Sequence, residues 1–467
     1  LVLAGGLSFG KVGNADALVA GWRAAPISST LGGKAKAESG TARSESTPHS
    51  YIVLDRAPRY RSFFCSLIVP RHPGYFGGEI RDFHLLRFLL KISTVEFFSL
   101  HPLSTDTKDD RPDWLTAFLE KCHTSLPVPR DGQRPISKLL RLLREHHLPV
   151  LGPRYHRDAA YHIGLIGTLG ATLQQALERQ QPDFLFVSSQ INPIALTFES
   201  SRLRTRFVMA SYDVEAERIR SFARSSRGLS KWAFSLESRR ARRFEEENLR
   251  FYDGIIAVST KDRDTFIGNY GLSPDRVLVV ENGVDPHYFR FTERLPGSVP
   301  HVVFVGTLSY RANDQAAWRL IHHIMPLVRR RFPHACLSIV GQAPSSALLA
   351  QHDGHRIVVT GRVEDVRPYL AMAAVACIPL VSGSGTKYKV LEALSAGAPT
   401  VCSPVALEGL DLKDGQELMV RESDQEIAAG VQALQGSDEE LTKAREELAG
   451  FTKQLDAKPA EWEAGQA

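Results

Sequence analysis

The residues best suited to chemistry lie in one stretch, Pro379 to Pro404 (PLVSGSGTKYKVLEALSAGAPTVCSP). An apolar run, Ala374 to Leu380, reads as a strand that enters a loop carrying Gly383 and Gly385, then a helix from Thr386 to Ala396. Glycines let a ligand approach the main chain and permit backbone geometries closed to other residues. Free N–H groups at the helix start, with the positive end of its dipole, attract an anion. Lys389 and Glu392 are three apart and so share one helix face. A cation beside a phosphate and a carboxylate beside two vicinal hydroxyls would suit a nucleoside diphosphate. Gly397 is expected to close the helix as its C′ residue. A Gly-Ser turn before a helix with a surface Lys–Glu pair has the same spacing, and this segment alone leaves both readings open.

Other chemistry-bearing residues read more plainly. Gly5 to Lys11 spells G-x-x-x-x-G-K, but Val12 stands where a phosphate-binding loop needs Ser or Thr, and no helix-forming segment follows. His146-His147 and His322-His323 are adjacent pairs that diverge on a helix and lack metal-ligand spacing, so no metal site is expected. Gly164, Gly167 and Gly170 suit close helix packing. The run Arg239 to Glu247 sets Arg242 against Glu246 and Arg243 against Glu247, which reads as a solvated, self-paired helix face. The alternative is adhesion to an anionic membrane, helped by Arg218, Arg220, Arg224 and Arg227.

These residues need a scaffold, and 467 residues are too many for one ordinary core. Hydrophobic residues make up 43% and charged residues 23%, the balance of a folded rather than a disordered chain. The most apolar region, Phe83 to Leu100, is broken by Arg87, Lys91 and Glu96, so no membrane-spanning helix is expected. A net charge of +5 is too mild to indicate nucleic acid, and no nucleic-acid partner is expected. Five cysteines lie far apart and read as reduced core thiols of an intracellular protein.

From Tyr51 onward, apolar strands alternate with amphipathic helices. Strands are predicted at Phe63–Val69, Val95–Leu100, Phe184–Ser188, Arg206–Ala210 and Gly254–Ser259. The second half repeats them at His301–Gly306, Ala335–Gly341, Arg356–Thr360, Val375–Leu380 and Pro399–Cys402. Predicted helices run from Glu79 to Leu90, Asn313 to Arg330 and Val363 to Ala373. This alternation implies an α/β fold of parallel βαβ units. The expected organisation is an extension at 1–50 (a disordered or targeting segment), a Rossmann-like domain at 51–289, a hinge at 290–300, a second Rossmann-like domain at 301–438, and a helix and tail at 439–467. Two such domains leave a cleft where the carboxyl ends of both sheets face each other, and ligands bind there.

The segment Leu391 to Thr400 (LEALSAGAPT) resembles the nucleotide-binding stretch of the retaining GT-B glycosyltransferases often called family 4. Their E-x7-E pattern places its second glutamate at Glu392, while the first position holds Ser384. Val280 to Phe289 (VENGVDPHYF) resembles their signature entering the hinge, and Val303 to Gly306 the first strand of their donor domain. Gly77-Gly78 before a helix resembles their glycine loop at the diphosphate or acceptor. Within that family the whole resembles the bacterial exopolysaccharide-associated sugar transferases. Two departures stand out. Thr307 and Ala312 occupy the usual Arg and Lys positions of the first donor-domain loop, where Arg311 could substitute. Tyr212-Asp213 stands where a histidine is common.

The resemblance implies transfer of a sugar from a nucleotide-sugar donor to a polysaccharide or glycolipid acceptor, without metal or cofactor. Implied donor contacts are Gly306, Arg311, Arg362, Val363, Ser384, Gly385, Thr386, Lys387, Lys389 and Glu392, with Arg362 and Val363 flanking the base. Lys389 and Asp213 are the implied catalytic pair, Asp213 toward an acceptor hydroxyl, with a cap on the following helix as the other reading of Asp213. The implied location is cytoplasmic, with peripheral membrane association or organellar targeting by residues 1–50 as further readings. A GT-B-like scaffold subunit without transfer activity is the rival function.

Overall fold

The computed structural model describes residues 59–66, 69–71, 74, 77–99, 113–125, 170–188, 198, 204–291 and 300–436. The expectations for Gly5–Lys11, His146-His147, Gly164, Gly167, the extension at 1–50, most of the hinge and the tail at 439–467 lie outside them.

The first sheet joins β1 (Tyr60–Ser66), β2 (Ser93–Ser99), β3 (His123–Ser125), β4 (Phe184–Ser188), β5 (Arg206–Ala210), β6 (Gly254–Ala257) and β7 (Val277–Val279) in the order β3-β2-β1-β4-β5-β6-β7. Every pairing is parallel. Around it pack α1 (Gly77–Ile92), α2 (Asp113–Cys122), α3 (170–180), α4 (Glu215–Arg224), α5 (Gly228–Asn248) and α6 (Thr260–Tyr270). The second sheet runs β10-β9-β8-β11-β12-β13, again parallel, from β8 (His301–Val305), β9 (Cys336–Val340), β10 (Ile357–Val359), β11 (Val375–Ile378), β12 (Thr400–Cys402) and β13 (Met419–Val420). Its helices are α7 (Arg311–Arg319), α8 (Met325–Arg331), α9 (Ser346–Leu349), α10 (Arg367–Met372), α11 (Tyr388–Ser395), α12 (Pro404–Leu407) and α13 (Asp424–Gly436).

The α/β fold with two Rossmann-like sheets is therefore the one the sequence implies. Both sheets reverse their strand order beside the first strand, at β1/β4 and at β8/β11. Crevices at such points, off the carboxyl strand ends, receive ligands. The strands are apolar on both faces because helices cover both. β4 and β6 are buried at every position, and Phe64 meets Phe97 of the neighbouring strand edge-on, ring centres 5.5 Å apart.

Three strands escaped the sequence reading, β3, β7 and β13. Each sits at a sheet edge and has only two or three residues, too few to show a period. The helix expected from Asn313 to Arg330 is interrupted by a π turn at Leu320–Ile324, just before Pro326. A wider turn accommodates a residue that cannot donate to the helix ladder. Val363, expected to open a helix, instead lies with Arg362 in the loop before α10. Gly77 and Gly78 form the first turn of α1, so this glycine pair opens the helix itself. The VENGVDPHYF segment bridges the two cores, with Val280 in the first and Val284 and Phe289 in the second.

Candidate active site

The floor of the candidate donor site is bare main chain. β8 ends into Gly306 and β9 into Gly341, and the Gly306 N–H donates to the Val340 carbonyl at 2.9 Å. A Cβ on Gly341, at φ +151°, would lie 1.9 Å from the Gly306 oxygen. Only glycine lets these two strand ends approach so closely. Lys389 stands directly over this floor, because a Cβ on Gly306 would fall 2.7 Å from its Nζ. The Lys389 ammonium donates to Asn313 Oδ1 at 2.5 Å and sits 4.8 Å from the centre of the Phe304 ring. Asn313 Nδ2 in turn donates to the Thr307 carbonyl at 2.8 Å.

Glu392 lies one turn along the same face of α11. Burial pushes its carboxyl up to about 7, opposed by the charge of Lys389. Burial likewise pushes the Lys389 amine down to about 7, with Glu392 opposing the shift. Among the described residues, no side chain donates a hydrogen bond to the Glu392 carboxylate. An anion arriving at Lys389 and hydroxyls arriving at Glu392 would each stabilise the charged form. The helix closes as its glycine implies: Gly397, at φ +76°, donates to the Leu394 carbonyl and Ala398 to that of Ala393.

The loop ahead of α11 is held from the first sheet's side of the cleft. Gly383 N–H donates to Ser221 Oγ at 2.9 Å, and Ser384 Oγ donates to Asp213 Oδ2 at 2.9 Å. Gly385, at φ +65°, passes so near that a Cβ would sit 2.9 Å from the Tyr212 carbonyl oxygen. Asn282 Nδ2 donates to Thr386 Oγ1, and Tyr388 Oη donates to Asn282 Oδ1 at 2.9 Å. Lys387 Nζ donates to the Gly385 carbonyl at 2.5 Å, and burial pushes its amine down to about 8 against the pull of Glu408 and Asp213. Both lysines thus converge on the start of α11.

Asp213 does not cap α4. The cap position is Val214, and the N–H groups of Glu215 and Ala216 instead donate to the Glu245 carboxylate at 2.8 and 3.1 Å. That leaves the Asp213 side chain to Ser384, with Arg218 Nε 3.7 Å away. Burial pushes its carboxyl up to about 6, against the pull of Arg218. Glu245 also corrects the reading of Arg239 to Glu247 as a solvated face: Arg242 and Glu246 do pair at 3.1 Å, but Glu245 is buried.

Facing the loop, the carboxyl ends of β1 and β4 carry a buried polar chain. Ser66 Oγ and Tyr212 Oη donate to Asp82 Oδ2 at 2.6 and 2.7 Å, and Tyr212 Oη lies 2.6 Å from Ser188 Oγ. Burial raises the Asp82 carboxyl to about 7. Beside it the buried Arg81 donates to the Val280 carbonyl and to Asn282 Oδ1, at 3.0 and 2.8 Å.

The structure therefore brings Gly306, Ser384, Gly385, Thr386, Lys387, Lys389, Glu392 and Asp213 together. Gly77 joins them at the cleft, where a Cβ would touch the Tyr388 ring at 3.0 Å, with Gly78 buried beside it. Arg311 points elsewhere: its guanidinium donates to Ser226 Oγ at 3.3 Å and lies 5.2 Å from the Phe234 ring centre. Arg362 is exposed, and Val363 packs on the cluster that includes Val340 and Leu391. Sequence reasoning missed Arg81, Asp82 and Asn313. Asn282, inside the quoted VENGVDPHYF segment, and Tyr212, beside Asp213, did carry a visible signal. His322 stacks on Trp318, ring centres 5.2 Å apart, as a packing residue.

A family model described as glycosyl transferases group 1 matches residues 299–436, and one described as glycosyltransferase family 4 matches residues 106–288, together more than half of the chain. The glycogen synthase of Mycobacterium tuberculosis is 26% identical over 194 residues, which are 40% of this chain and 46% of that protein. The chain thus spans about half the length of the curated relatives it matches. Among solved structures, Anabaena HepE in complex with UDP and glucose has a TM-score of 0.55 at 14% identity, covering 87% of this chain and 99% of that one. Sucrose-phosphate synthase from Thermosynechococcus elongatus has a TM-score of 0.58 at 11% identity, with coverage of 87% and 99%. At these identities the likeness establishes the fold, and the family models supply the rest. Two parallel sheets meeting at a glycine-floored cleft, together with those matches, place the chain in the family 4-like glycosyltransferases of the GT-B fold.

Proposed function

We propose that this chain moves a sugar from a nucleotide-sugar donor to a polysaccharide or glycolipid acceptor with retention of anomeric configuration. The observation that carries the reading is Lys389 and Glu392 on one face of α11, above the bare Gly306–Gly341 floor. A diphosphate would meet Lys389, Lys387 and the amide end of α11. The Glu392 carboxylate would accept from both ribose hydroxyls, and Arg362 and Val363 would flank the base. As the bond to the sugar breaks, negative charge grows on the leaving diphosphate, where fixed cations and N–H groups are most effective. Asp213, already against the donor loop, would accept a hydrogen bond from the attacking hydroxyl. The division into domains at 51–289 and 301–438 about a hinge at 290–300 belongs to the same proposal.

The test compares nucleotides that differ only at the ribose. Glu392→Gln should weaken ribonucleoside diphosphate binding about ten- to a hundredfold, roughly 1.5–3 kcal/mol, and barely affect the 2′,3′-dideoxy analogue. Equal losses for both would remove Glu392 from the ribose.

A scaffold without transfer activity is the second reading. Arg311 is committed to Ser226 and Phe234, and Thr307 carries no charge, so the loop after β8 presents no cation to the diphosphate. Hydrolysis of any nucleotide sugar without acceptor, lost in Lys389→Met, would exclude it. Nucleotide binding with no turnover across the common donors would favour it.

A further inference from the structure

The start of α5, just after the turn from α4, exposes two large apolar side chains, Leu229 at 73% and Trp232 at 61% of their free surface. They are three residues apart at the N-terminal end of a 21-residue helix, so they point to one side. Exposed apolar side chains scattered singly need no explanation, but an adjacent pair with a polar rim marks a contact surface.

The rim here has one sign. Arg224, Arg227 and Lys231 are exposed around the pair. Among the described residues, none of the three has an ion-pair partner. No acidic residue occurs between Glu217 and Glu237. The other two cations of this segment are spent internally, Arg218 on Glu215 and Arg220 on Glu217. The turn is also firmly built. Phe222 and Phe234 pack with tilted rings, centres 5.8 Å apart, on its inner side, and Arg311 from the second sheet's side holds Ser226. A well-anchored turn that leaves Leu and Trp outward keeps them there for a partner rather than through poor packing.

We infer that the α4–α5 turn is a docking surface for an anionic lipid bilayer. Lipid phosphates satisfy the three unpaired cations, and Trp settles at the boundary between headgroups and hydrocarbon. Leu229 decides against nucleic acid, since an aliphatic side chain gains from burial among acyl chains and nothing from stacking on bases. The turn lies beside the candidate donor loop, because Ser221 of α4 accepts the Gly383 N–H. The surface does not depend on the reaction assigned to that cleft.

Co-sedimentation of the full chain with phosphatidylglycerol or phosphatidylcholine vesicles tests this. Each cation near an anionic surface is worth about fivefold in affinity, so the three together should favour the anionic vesicles by roughly a hundredfold. Arg224→Glu with Lys231→Glu should abolish that preference, and added salt should erode it. Leu229→Ser with Trp232→Ser should weaken binding at any salt. Brominated acyl chains should quench wild-type fluorescence more than that of Trp232→Phe, a variant that retains the other four tryptophans. These positions are exposed, so unchanged melting temperatures are expected throughout. No binding to anionic vesicles at low salt would overturn the inference. So would binding indifferent to Leu229 and Trp232, or equal capture by single-stranded nucleic acid.

Discussion

The two sides of the cleft are built in opposite ways. On the donor side, Ser384, Gly385, Thr386, Lys387, Lys389 and Glu392 come from nine consecutive residues, and one helix with its entry loop orders them. On the other side, Ser66, Asp82, Ser188 and Tyr212 arrive from four separate elements, and hydrogen bonds among their buried side chains hold them. The first arrangement draws its precision from backbone geometry and can be read locally. The second depends on the sheet being assembled, and its polar atoms are costly if any partner is lost. Backbone changes should therefore damage the donor side most, and charge changes the facing side.

The largest effect belongs to the donor floor. Gly341→Ala should cost about 3 kcal/mol, because the new methyl meets backbone that cannot step aside. Calorimetry should register this as a fall of roughly 10 °C in the melting temperature. Gly361→Ala is the control: its φ is also positive, +67°, but open space surrounds its Cβ, and the change should cost only about 1 kcal/mol. Equal losses at the two positions would mean that backbone strain alone, and not close approach, defines the floor.

An intermediate effect is expected at Asp82, and it depends on pH. Its carboxyl titrates at about 7 in the folded chain, against an ordinary value near 3.8. Between those values the folded state holds a proton that the unfolded state has released, so stability falls as pH rises from about 4 to about 7. Asp82→Asn should remove that pH-dependent contribution and flatten the decline. Asp213, Glu245 and Glu392, also raised, should keep part of the slope. An unaltered profile in Asp82→Asn would show that the Ser66–Asp82–Tyr212 chain does not carry the buried charge.

The smallest effect joins the two sides. Ser384→Ala and Asp213→Ala should show a coupling of about 1 kcal/mol in a double-mutant cycle on thermal stability. Simple additivity would mean that the two sides do not meet through this bond in solution.

Ser384 and Asp213 are two of the places where the sequence departs from the family pattern, one on each side. In the structure they touch. Nothing in either segment announced this, because 171 residues separate them and each looked like an isolated loss. The donor segment was legible for the opposite reason. Its glycines, lysines and glutamate sit at fixed spacing on a single strand–loop–helix unit, so helical periodicity alone puts Lys389 and Glu392 on one face. Gly77-Gly78 was legible as a glycine pair but not as a helix start, since helix boundaries follow tertiary packing as much as local preference.

The sequence by itself determined the α/β alternation, the apolar strands and the donor helix with its Lys389–Glu392 face, because each depends on residues within a few turns of one another. Tertiary structure alone decided the hydrogen-bonded chain from Ser66 through Asp82 and Tyr212 to Ser188, the commitment of Arg311 to Ser226, and the release of Asp213 by Glu245 as the cap of α4. Those contacts join residues 16 to 130 positions apart. Their partners are chosen by sheet order and helix packing, which no short stretch of sequence encodes.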